Sequence, residues 1–300
     1  MSGPSVAVIG SINTDFVLVV DHRPLPGETV ADAVLEVHPG GKGANQAVAA
    51  ARSGAQVALI GRIGDDPAGR VRLRELEDEH ITTEHVSCSP DTPTGVAFIT
   101  LTPDGENSIV VAPGANARLS PRDVERARPI LASASVLVVQ LEVPLETVER
   151  GVALAGRATR VVLNCAPYRP LPAALLQRVD VLVANTREAA ALSGRRAVDS
   201  RNARDVARAI GRLGPSAVVI TLGGDGAAVA AADFTEHLGA PKVDAIDTTG
   251  AGDAFVGALA ARLAAGAALT DAVRFGVGAG AQTVTQRGAS GRAPRDRRAE

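Results

Sequence analysis

Runs of apolar residues recur along the chain and predict a set of buried strands. Six such runs cover residues 6–10, 57–61, 136–141, 161–164, 179–184 and 217–222. They are nearly continuous and rich in β-branched residues, with no alternation of apolar and polar positions. This pattern is typical of strands that are buried on both faces, as in parallel sheets.

Stretches with helical character lie between these runs. We predict helices over 44–53, 67–79 and 203–213, with two more that begin at Ser120-Pro121 and at Pro144. Asp66 and Pro67 provide an N-cap and a first helical residue for the second of them. Alternation of strands and helices predicts an α/β domain with three layers, in which helices cover both faces of a parallel sheet.

Two pairs of extended segments interrupt this alternation. Segments 16–20 and 29–37 flank the sequence PLPG, and segments 95–102 and 108–111 are joined by PDGEN, which is typical of a hairpin turn. We expect these four strands to form a small separate sheet, inserted at about 13–39 and 94–113. Such a sheet could act as a lid that excludes water from a cleft.

Composition narrows the class of protein. The 300 residues are 46% hydrophobic with a net charge of −2, and aromatic residues make up only 2%, with no Trp. The length allows one large α/β domain or two small ones with a sizeable core, and the scarcity of aromatic residues argues against a nucleic-acid partner. We expect a single domain over 1–300 with a basic polar tail at 293–300. Two cysteines are too few for a disulfide framework or a zinc site. With no apolar run of membrane length, we expect no membrane partner and a cytoplasmic location.

The sequence IDTTGAGDAF, residues 246–255, is the first candidate for chemistry. Backbone N–H groups of Gly250, Ala251 and Gly252 at the start of a helix would form an anion site. Asp253 beside them could take a proton from a hydroxyl group while those N–H groups hold a phosphoryl group. The alternative is structural: Asp253 complements the helix dipole and Asp247 ends a strand.

The sequence HPGGKGANQA, residues 38–47, is a second candidate. Its glycines allow a ligand close to the backbone, and Lys42 and Asn45 would face a hydroxyl-bearing ligand. It differs from a Walker A loop because Gly43 follows Lys42 where a Ser or Thr would hold magnesium. A simple turn from strand to helix is the alternative.

Asn13 and Asp15, in GSINTDF, form a third candidate. Two residues apart on an extended segment, they would point the same way, and their side chains suit the vicinal hydroxyl groups of a sugar. A polar loop after the first strand is the alternative.

Two further motifs allow a structural and a functional interpretation. NTRE (185–188) is a capping box, with Asn185 as N-cap and Glu188 at the third helical position, and Glu188 could also lie near hydrated magnesium. TLGGDG (221–226) could place nucleotide phosphates against the backbone or form only a hairpin. The five histidines show no metal-ligand spacing.

The order of these motifs resembles the ribokinase-like (PfkB) carbohydrate kinases over nearly the whole chain. GGKGAN at 40–45 matches the N-terminal motif of the family, and DTTGAGD at 247–253 matches its C-terminal motif. The resemblance implies the ribokinase-like fold and transfer of the γ-phosphoryl group of ATP to the 5-hydroxyl of D-ribose. Related substrates remain open, namely 2-deoxyribose, another sugar or a nucleoside, as does a non-catalytic sugar or nucleotide sensor.

The resemblance also implies roles for individual residues. Asp253 would be the catalytic base, and Gly250, Ala251 and Gly252 would form the anion hole. The sugar would contact Asn13, Asp15, Gly41, Lys42, Asn45 and Glu142, and the nucleotide would contact Asn185, Thr221, Gly223, Gly224 and Gly226. Glu188 would serve Mg²⁺ through water. An activating K⁺ would be held by Asp247 and Thr249, with backbone oxygens of Thr283, Gln286 and Gly288.

Two positions depart from the family pattern. Arg292 falls where a serine usually completes the potassium site, and Val277 stands where relatives often carry Asn or His near the adenine. Relatives often pair through their lids, and four short strands would leave an apolar edge exposed, so we also predict a homodimer.

Overall fold

The structure is a computed structural model that describes residues 5–103 and 107–285. The strands of this part of the chain are β1 (Ser5–Ile9), β2 (Asn13–Val19), β3 (Val34–Gly40), β4 (Gln56–Gly64), β5 (Val86–Ser89), β6 (Gly95–Leu101), β7 (Asn107–Ala112), β8 (Val136–Val139), β9 (Arg160–Asn164), β10 (Val181–Asn185), β11 (Ala217–Thr221), β12 (Ala227–Ala231) and β13 (Thr235–Leu238).

Helices connect these strands, and the first of them begins at Lys42, two residues before the predicted start at 44. They are α1 (Lys42–Arg52), α2 (Pro67–Asp78), α3 (Pro121–Arg126), α4 (Arg128–Ser133), α5 (Leu145–Leu154), α6 (Ala173–Leu176), α7 (Thr186–Ser193), α8 (Ala203–Gly211), α9 (Ala251–Ala264) and α10 (Leu269–Thr283). Asp66 caps α2 as predicted, since its side chain accepts a hydrogen bond from the Gly69 N–H at 2.7 Å.

Nine of the described strands form one sheet in the order β13-β12-β11-β10-β9-β8-β1-β4-β5. The seven strands from β11 to β5 are parallel, which confirms the predicted parallel sheet, and β12 and β13 add an antiparallel edge. The sequence analysis did not predict this edge. Alanine makes up most of β12, and this residue has a high helix propensity and a low strand propensity.

Helices cover both faces of this sheet, so the predicted three layers are confirmed. Alternate residues of β1 face opposite layers: Ala7 and Ile9 belong to the apolar cluster that includes α3, α5 and α8, whereas Val6 and Val8 belong to the cluster that includes α1, α9 and α10. Each strand therefore contributes to two hydrophobic layers, which explains the nearly continuous apolar runs.

The four remaining strands form the small sheet, in the order β3-β2-β6-β7. We call it the lid sheet. Its central pair, β2 and β6, is parallel, and the outer pairs are antiparallel. The predicted strand over 29–37 was placed too early, because β3 begins at Val34 and residues 29–33 are not in a strand. Part of the PDGEN turn lies outside the described residues.

The carboxyl ends of the parallel strands bring polar residues to one edge of the large sheet. Gln140 follows β8, and Asn164, Asn185 and Thr221 end β9, β10 and β11. Ligands in open α/β sheets bind at this edge. None of the described helices is long and apolar enough to cross a membrane.

Candidate active site

A cavity of about 210 Å³ lies at this edge of the sheet, between the start of α9 and the ends of β9, β10 and β11. Residues from both main motifs line it, together with the capping box. The lining residues are Lys42, Asn164, Ala166, Val183, Ala184, Asn185, Glu188, Thr221, Gly250, Gly252 and Asp253.

Asp253 lies in the first turn of α9, where its buried carboxylate is held by two amides of α1. Asn45 Nδ2 donates to Asp253 Oδ2 at 3.1 Å, and Gln46 Nε2 donates to Asp253 Oδ1 at 2.8 Å. The two helices approach closely at Gly257, where an added Cβ would lie 2.4 Å from the Gln46 carbonyl oxygen. This packing brings together residues that are more than 200 positions apart, and the sequence analysis missed Gln46.

The Gly-Ala-Gly corner forms the start of α9. Gly250 is the N-cap and adopts a left-handed conformation, with φ at 76°. Gly250 and Gly252 line the cavity, whereas Ala251 is not among its lining residues and its N–H donates to the Thr248 carbonyl at 3.4 Å. Backbone N–H groups at a helix start favour an anion at this point.

Glu142 joins the end of β1 to the start of α1. Its Oε2 accepts hydrogen bonds from Ser11 Oγ at 2.5 Å and from the Lys42 N–H at 3.0 Å. The Lys42 side chain lies among carboxylates: Asp253 above all, then Glu142 and Glu188, raise the pKa of its ammonium against the opposing effect of burial. Lys42 therefore keeps its positive charge beside the cavity.

Asn13 and Asp15 begin the lid sheet, in β2, and both are buried. The Asn13 Oδ1 accepts from Asn116 Nδ2 at 2.7 Å, and the Asn116 side chain also bonds the Ile12 backbone, with Oδ1 2.9 Å from the nitrogen and Nδ2 3.1 Å from the oxygen. Asn116 is a second residue that the sequence analysis missed.

Asp15 carries an unusual carboxyl group. Burial, followed by the charges of Glu142 and Asp253, raises its pKa to about 6, although His38 and Arg72 oppose the shift. Its Oδ1 has no hydrogen-bond partner among the described residues. A buried acceptor of this kind is costly alone and suits a ligand that donates hydroxyl groups.

Asn185 and Glu188 form the predicted capping box and also line the cavity. The Asn185 Oδ1 accepts from the Glu188 N–H at 2.9 Å, and Glu188 Oε2 accepts from the Asn185 N–H at 2.8 Å. Burial is the largest influence on Glu188 and raises the pKa of its carboxyl group, against the Asn185 hydrogen bond. The structural role is thus confirmed, and it leaves Glu188 beside the cavity.

The glycines after β11 divide into two kinds. Thr221 lines the cavity, and Gly223 and Gly224 are exposed in the turn that follows, with open space where a side chain would lie. Gly226 is buried, and an added Cβ would lie 1.9 Å from the Leu238 carbonyl oxygen, so packing against β13 explains this glycine. β11 and β12 form the hairpin that the sequence allowed. Nucleotide contacts of these residues stay a prediction.

Part of the predicted potassium site is described. Asp247 Oδ1 accepts from the Thr249 N–H at 2.9 Å, and the Asp247 N–H donates to the Val284 carbonyl at 3.2 Å, beside Thr283 at the end of α10. The segment before α9 is therefore next to the end of α10. Asp247 is not in a strand, so the strand-end alternative is wrong. Gln286, Gly288 and Arg292 lie outside the described residues.

Two other observations concern clusters of metal-ligand residues and contacts to a nucleobase. Residues 5–103 and 107–285 contain no group of three or more His, Cys, Asp or Glu that could hold a metal ion. Val277 is buried in the layer formed by α1, α9 and α10. It offers no polar group to a nucleobase.

A family model described as pfkB family carbohydrate kinase matches residues 4–296. The chain belongs to this family.

Three known proteins show a similarity to this chain that extends over at least 85% of its length. A ribokinase of Staphylococcus aureus (strain COL) is 38% identical over 292 residues, which cover 96% of each chain. A deoxyribokinase of Salmonella typhi is 37% identical over 257 residues, 85% of this chain and 84% of that one. The solved structure of Arabidopsis thaliana ribokinase complexed with ribose and ATP is 28% identical, with a TM-score of 0.84, and covers 96% of this chain and 95% of that one.

Proposed function

We propose that this pfkB family kinase transfers the γ-phosphoryl group of ATP to the 5-hydroxyl of D-ribose, giving D-ribose 5-phosphate and ADP. The observation that carries the proposal is the Asp253 carboxylate, held by Asn45 and Gln46 at the start of α9 and beside the cavity. Similarity to a ribokinase across 96% of the chain, and to a structure that holds ribose and ATP, supports the choice of substrates.

Asp253 acts as the general base in this proposal. A sugar hydroxyl is a weak nucleophile, so its proton passes to the Asp253 carboxylate as its oxygen attacks the γ-phosphorus. The new O–P bond forms while the bond between the γ-phosphorus and the β–γ bridging oxygen breaks, and ADP leaves with that electron pair.

The start of α9 and Lys42 stabilise the negative charge of the transferring group. Gly250 and Gly252 provide backbone N–H groups at the positive end of the helix dipole, and the Ala251 N–H would join them by exchanging its bond to the Thr248 carbonyl for one to the phosphoryl group. Lys42 adds a full charge, which the surrounding carboxylates retain on its ammonium. Closure of the lid sheet would keep water from accepting the phosphoryl group.

The lid sheet and the start of α1 supply the sugar contacts in this proposal. Asn13, Asp15, Gly41, Lys42, Asn45 and Glu142 surround the side of the site where β1, β2 and α1 meet. Asp15 Oδ1 is the buried acceptor without a partner, so a hydroxyl of ribose would satisfy it.

Two cations belong to the proposal. Glu188 would hold Mg²⁺ through water, and the fit is good because its half-buried carboxylate lines the cavity together with Asp253. Magnesium bound there would neutralise charge on the phosphates. Asp247 and Thr249, with Thr283, Gln286 and Gly288, would hold K⁺; the adjacency of the Asp247 and Val284 backbones fits a set of oxygen ligands at this point.

Deoxyribose is the second candidate substrate, because a deoxyribokinase is almost as similar to this chain as a ribokinase is. The two sugars differ in the 2-hydroxyl, which a buried acceptor such as Asp15 would select for. An acceptor left unpaired in the complex with deoxyribose would reduce its kcat/KM by about 10-fold or more.

A substrate panel with coupled detection of ADP tests the proposed function. Purified protein with ATP and Mg²⁺, with and without K⁺, is offered ribose, 2-deoxyribose, hexoses and nucleosides. The proposal expects the highest kcat/KM with ribose and stimulation by K⁺. A higher kcat/KM with another substrate would identify that compound as the substrate in place of ribose. Ribose binding without ADP release would indicate a non-catalytic sugar sensor.

We further propose that residues 1–300 form one domain into which the lid strands are inserted, followed by the polar tail at 293–300. Partial proteolysis should then release no stable fragment of half the chain. The cytoplasmic location stays a prediction.

A further inference from the structure

Gln46 forms hydrogen bonds, one of them to Asp253, that the motifs of the sequence do not explain. Its amide is completely buried and forms three hydrogen bonds: Nε2 donates to Asp253 Oδ1 at 2.8 Å and to Asn164 Oδ1 at 3.0 Å, and Oε1 accepts from Gln140 Nε2 at 2.7 Å. Both N–H groups and the oxygen of one side chain are therefore used.

Gln140 and Asp253 contact opposite ends of the Gln46 amide. If the Gln46 amide turned over, its NH₂ group would face the NH₂ group of Gln140, and its oxygen would face the Asp253 carboxylate. Gln140 is itself enclosed, since an added Cβ on Gly10 would lie 2.0 Å from Gln140 Oε1. Gln140 Oε1 has no hydrogen-bond partner among the described residues, so the Asp253 carboxylate, which can only accept, sets the polarity of this series, and close packing holds Gln140 against Gln46.

Gln46 differs in placement from Asn45, its neighbour on α1. Asn45 lines a neighbouring cavity together with Gly40, whereas Gln46 is completely buried and lines neither that cavity nor the one beside Asp253. Asn164 and Asp253, on either side of Gln46, do line the cavity. Asn45 is a proposed sugar contact and can exchange its bond to Asp253 for one to the substrate. Gln46 has no such access, so its bond to Asp253 Oδ1 is independent of the substrate.

We propose that Gln46 is a positioning residue, oriented by Gln140, that holds the Asp253 carboxylate in the direction needed to accept the proton of the substrate hydroxyl. The inference rests on the proposed function and deepens it. Gln46 touches neither the sugar nor the nucleotide. A carboxylate fixed before the substrate arrives needs no reorientation during the reaction.

The charged groups around Asp253 do not orient its carboxylate through hydrogen bonds. Lys42 from α1, Asp15 from β2 and Glu188 from α7 act on it through charge. The described hydrogen bonds to its two oxygens come from Asn45 and Gln46. Removal of Gln46 therefore changes the orientation of Asp253 and leaves the sugar contacts intact.

Steady-state kinetics of Gln46→Met test this inference. Methionine has a similar length and volume but cannot donate a hydrogen bond. We expect kcat to fall by about 10- to 100-fold, since a hydrogen bond to a charged group is lost. The KM for ribose and the calorimetric affinity for ribose should change by no more than about twofold, because Gln46 does not reach the sugar. An unchanged kcat, or an increase in KM that accounts for the loss in kcat/KM, would overturn the inference.

A double-mutant cycle tests whether Gln140 acts on Asp253 through Gln46. Gln140→Met should reduce kcat by about 3- to 10-fold, and the double variant should be no slower than Gln46→Met alone, because Gln140 acts through Gln46. Independent, multiplicative effects would contradict this order. If Gln46→Met fails to fold, Gln140→Met decides alone: lowered kcat with unchanged KM supports the inference, and normal kcat overturns it.

Thr147→Val is the matched control. Thr147 is equally buried, and its hydroxyl donates to the Leu119 carbonyl at 2.8 Å, on the opposite layer from α9. We expect a loss of stability with kcat and KM unchanged. A similar loss of kcat in this control would show that buried polar residues act on turnover only through stability, and would overturn the inference.

Failure of the inference can be told from failure of the proposed function. If the wild-type protein phosphorylates ribose and Gln46→Met is equally fast, only the role of Gln46 is refuted. If the wild-type protein does not phosphorylate ribose, crystal structures of both proteins decide the role. The inference expects the Asp253 carboxylate to turn in the variant, and an identical orientation would refute it.

Discussion

The Asp253 carboxylate accepts a hydrogen bond on each oxygen, and both donors come from consecutive residues of one helix. This arrangement fixes the carboxylate plane while leaving lone pairs for a substrate proton. Lys42 lies close enough for the Asp253 charge to be the largest influence on its pKa. A carboxylate, a cation and a helix start thus meet within one small cavity, which is the combination that phosphoryl transfer needs.

Asp15 should destabilise the protein at neutral pH. Its pKa is about 6 in the folded protein, above the ordinary value of 3.8, so the folded state binds this proton more tightly than the unfolded state does. The resulting stability is complete below about pH 4 and is lost as pH rises through about 6. Asp15→Asn should therefore raise the free energy of unfolding by about 3 kcal/mol at pH 7.5, and by about half as much at pH 5.

Urea unfolding of both proteins at the two pH values measures this difference. Asp15→Asn should also lose ribose affinity, because an amide replaces the buried carboxylate acceptor. An equal free-energy difference at pH 5 and pH 7.5 would contradict the raised pKa.

The side chains found from sequence differ in kind from those that were missed. Asp253, Asn45 and the Asn185–Glu188 pair belong to short local patterns, so their neighbours in sequence reveal them. Gln46 and Asn116 act on partners 207 and 103 positions away, and only the packing of α1 against α9 and the turn after β7 brings those partners together. No local pattern carries such information.

The turn into α1 requires glycine at position 41. Gly41 has φ at 90°, and an added Cβ would lie 2.8 Å from both the Asn13 nitrogen and the Ser11 oxygen. The backbone of residues 11–13, on the proposed sugar side of the site, therefore packs directly against the start of α1.

Gly41→Ala should lower both stability and ribose affinity, because the turn must move away from Ser11 and Asn13. Gly54→Ala is the control, since Gly54 also has φ at 90° but has open space around it. The control should lose about 1–2 kcal/mol of stability from strain alone and keep a normal KM for ribose. Urea unfolding and ribose kinetics check both variants, and a normal KM in Gly41→Ala would contradict the close packing.

The capping box at the start of α7 allows its structural and functional roles to be separated. Glu188→Gln keeps a side chain that can accept the Asn185 N–H, so thermal stability should stay within about 0.5 kcal/mol. The lost charge should raise the Mg²⁺ concentration needed for half-maximal activity. Glu188→Ala loses the cap as well and should unfold more easily, by about 1 kcal/mol. A normal Mg²⁺ dependence in Glu188→Gln would refute the magnesium role.

The strands that were predicted and those that were missed differ in composition. Val, Ile and Leu are abundant in β1, β8, β9, β10 and β11. Each predicted end of these five strands lies within two residues of the observed end. β5 (VSCS), β12 (AAVAA) and β13 (TEHL) lack that signal. They exist because an adjacent strand offers free backbone groups, which is a property of the folded sheet.

The lid sheet has two unlike faces. The face that carries Asp15 also carries the buried residues Ala97 and Ile99. On the other face, Val37, Phe16, Phe98 and Val110 lie side by side across all four strands, and the rings of Phe16 and Phe98 stack with centroids 5.4 Å apart. Val37, Phe98 and Val110 are 51%, 48% and 68% exposed, so this apolar row is open to a partner.

We predict that this row is the contact surface of a homodimer. Phe98→Glu should shift the protein to monomers, because a charge would be buried in the contact. Leu213→Glu, at an exposed apolar position after α8, should leave the dimer intact. Sedimentation velocity at micromolar concentration measures both, and a monomeric wild-type protein would refute the prediction.

The large sheet determines where chemistry occurs in the whole molecule. Seven parallel strands bring their carboxyl ends to one edge, and α9 and the lid sheet meet the same edge from different sides. The alternation of apolar runs and helical stretches predicted the layers, and the family motifs predicted the residues of the site. The position of the lid sheet relative to α9 depends on packing between distant segments, which periodicity does not encode.

The turnover of Asp253→Asn with ribose, ATP and Mg²⁺ is the most direct test of the proposed base. Asparagine preserves the shape of the side chain but cannot take a proton, so kcat should fall by about 100- to 10,000-fold while ribose still binds and the protein remains folded. A kcat close to that of the wild-type protein would contradict the role of Asp253 as general base.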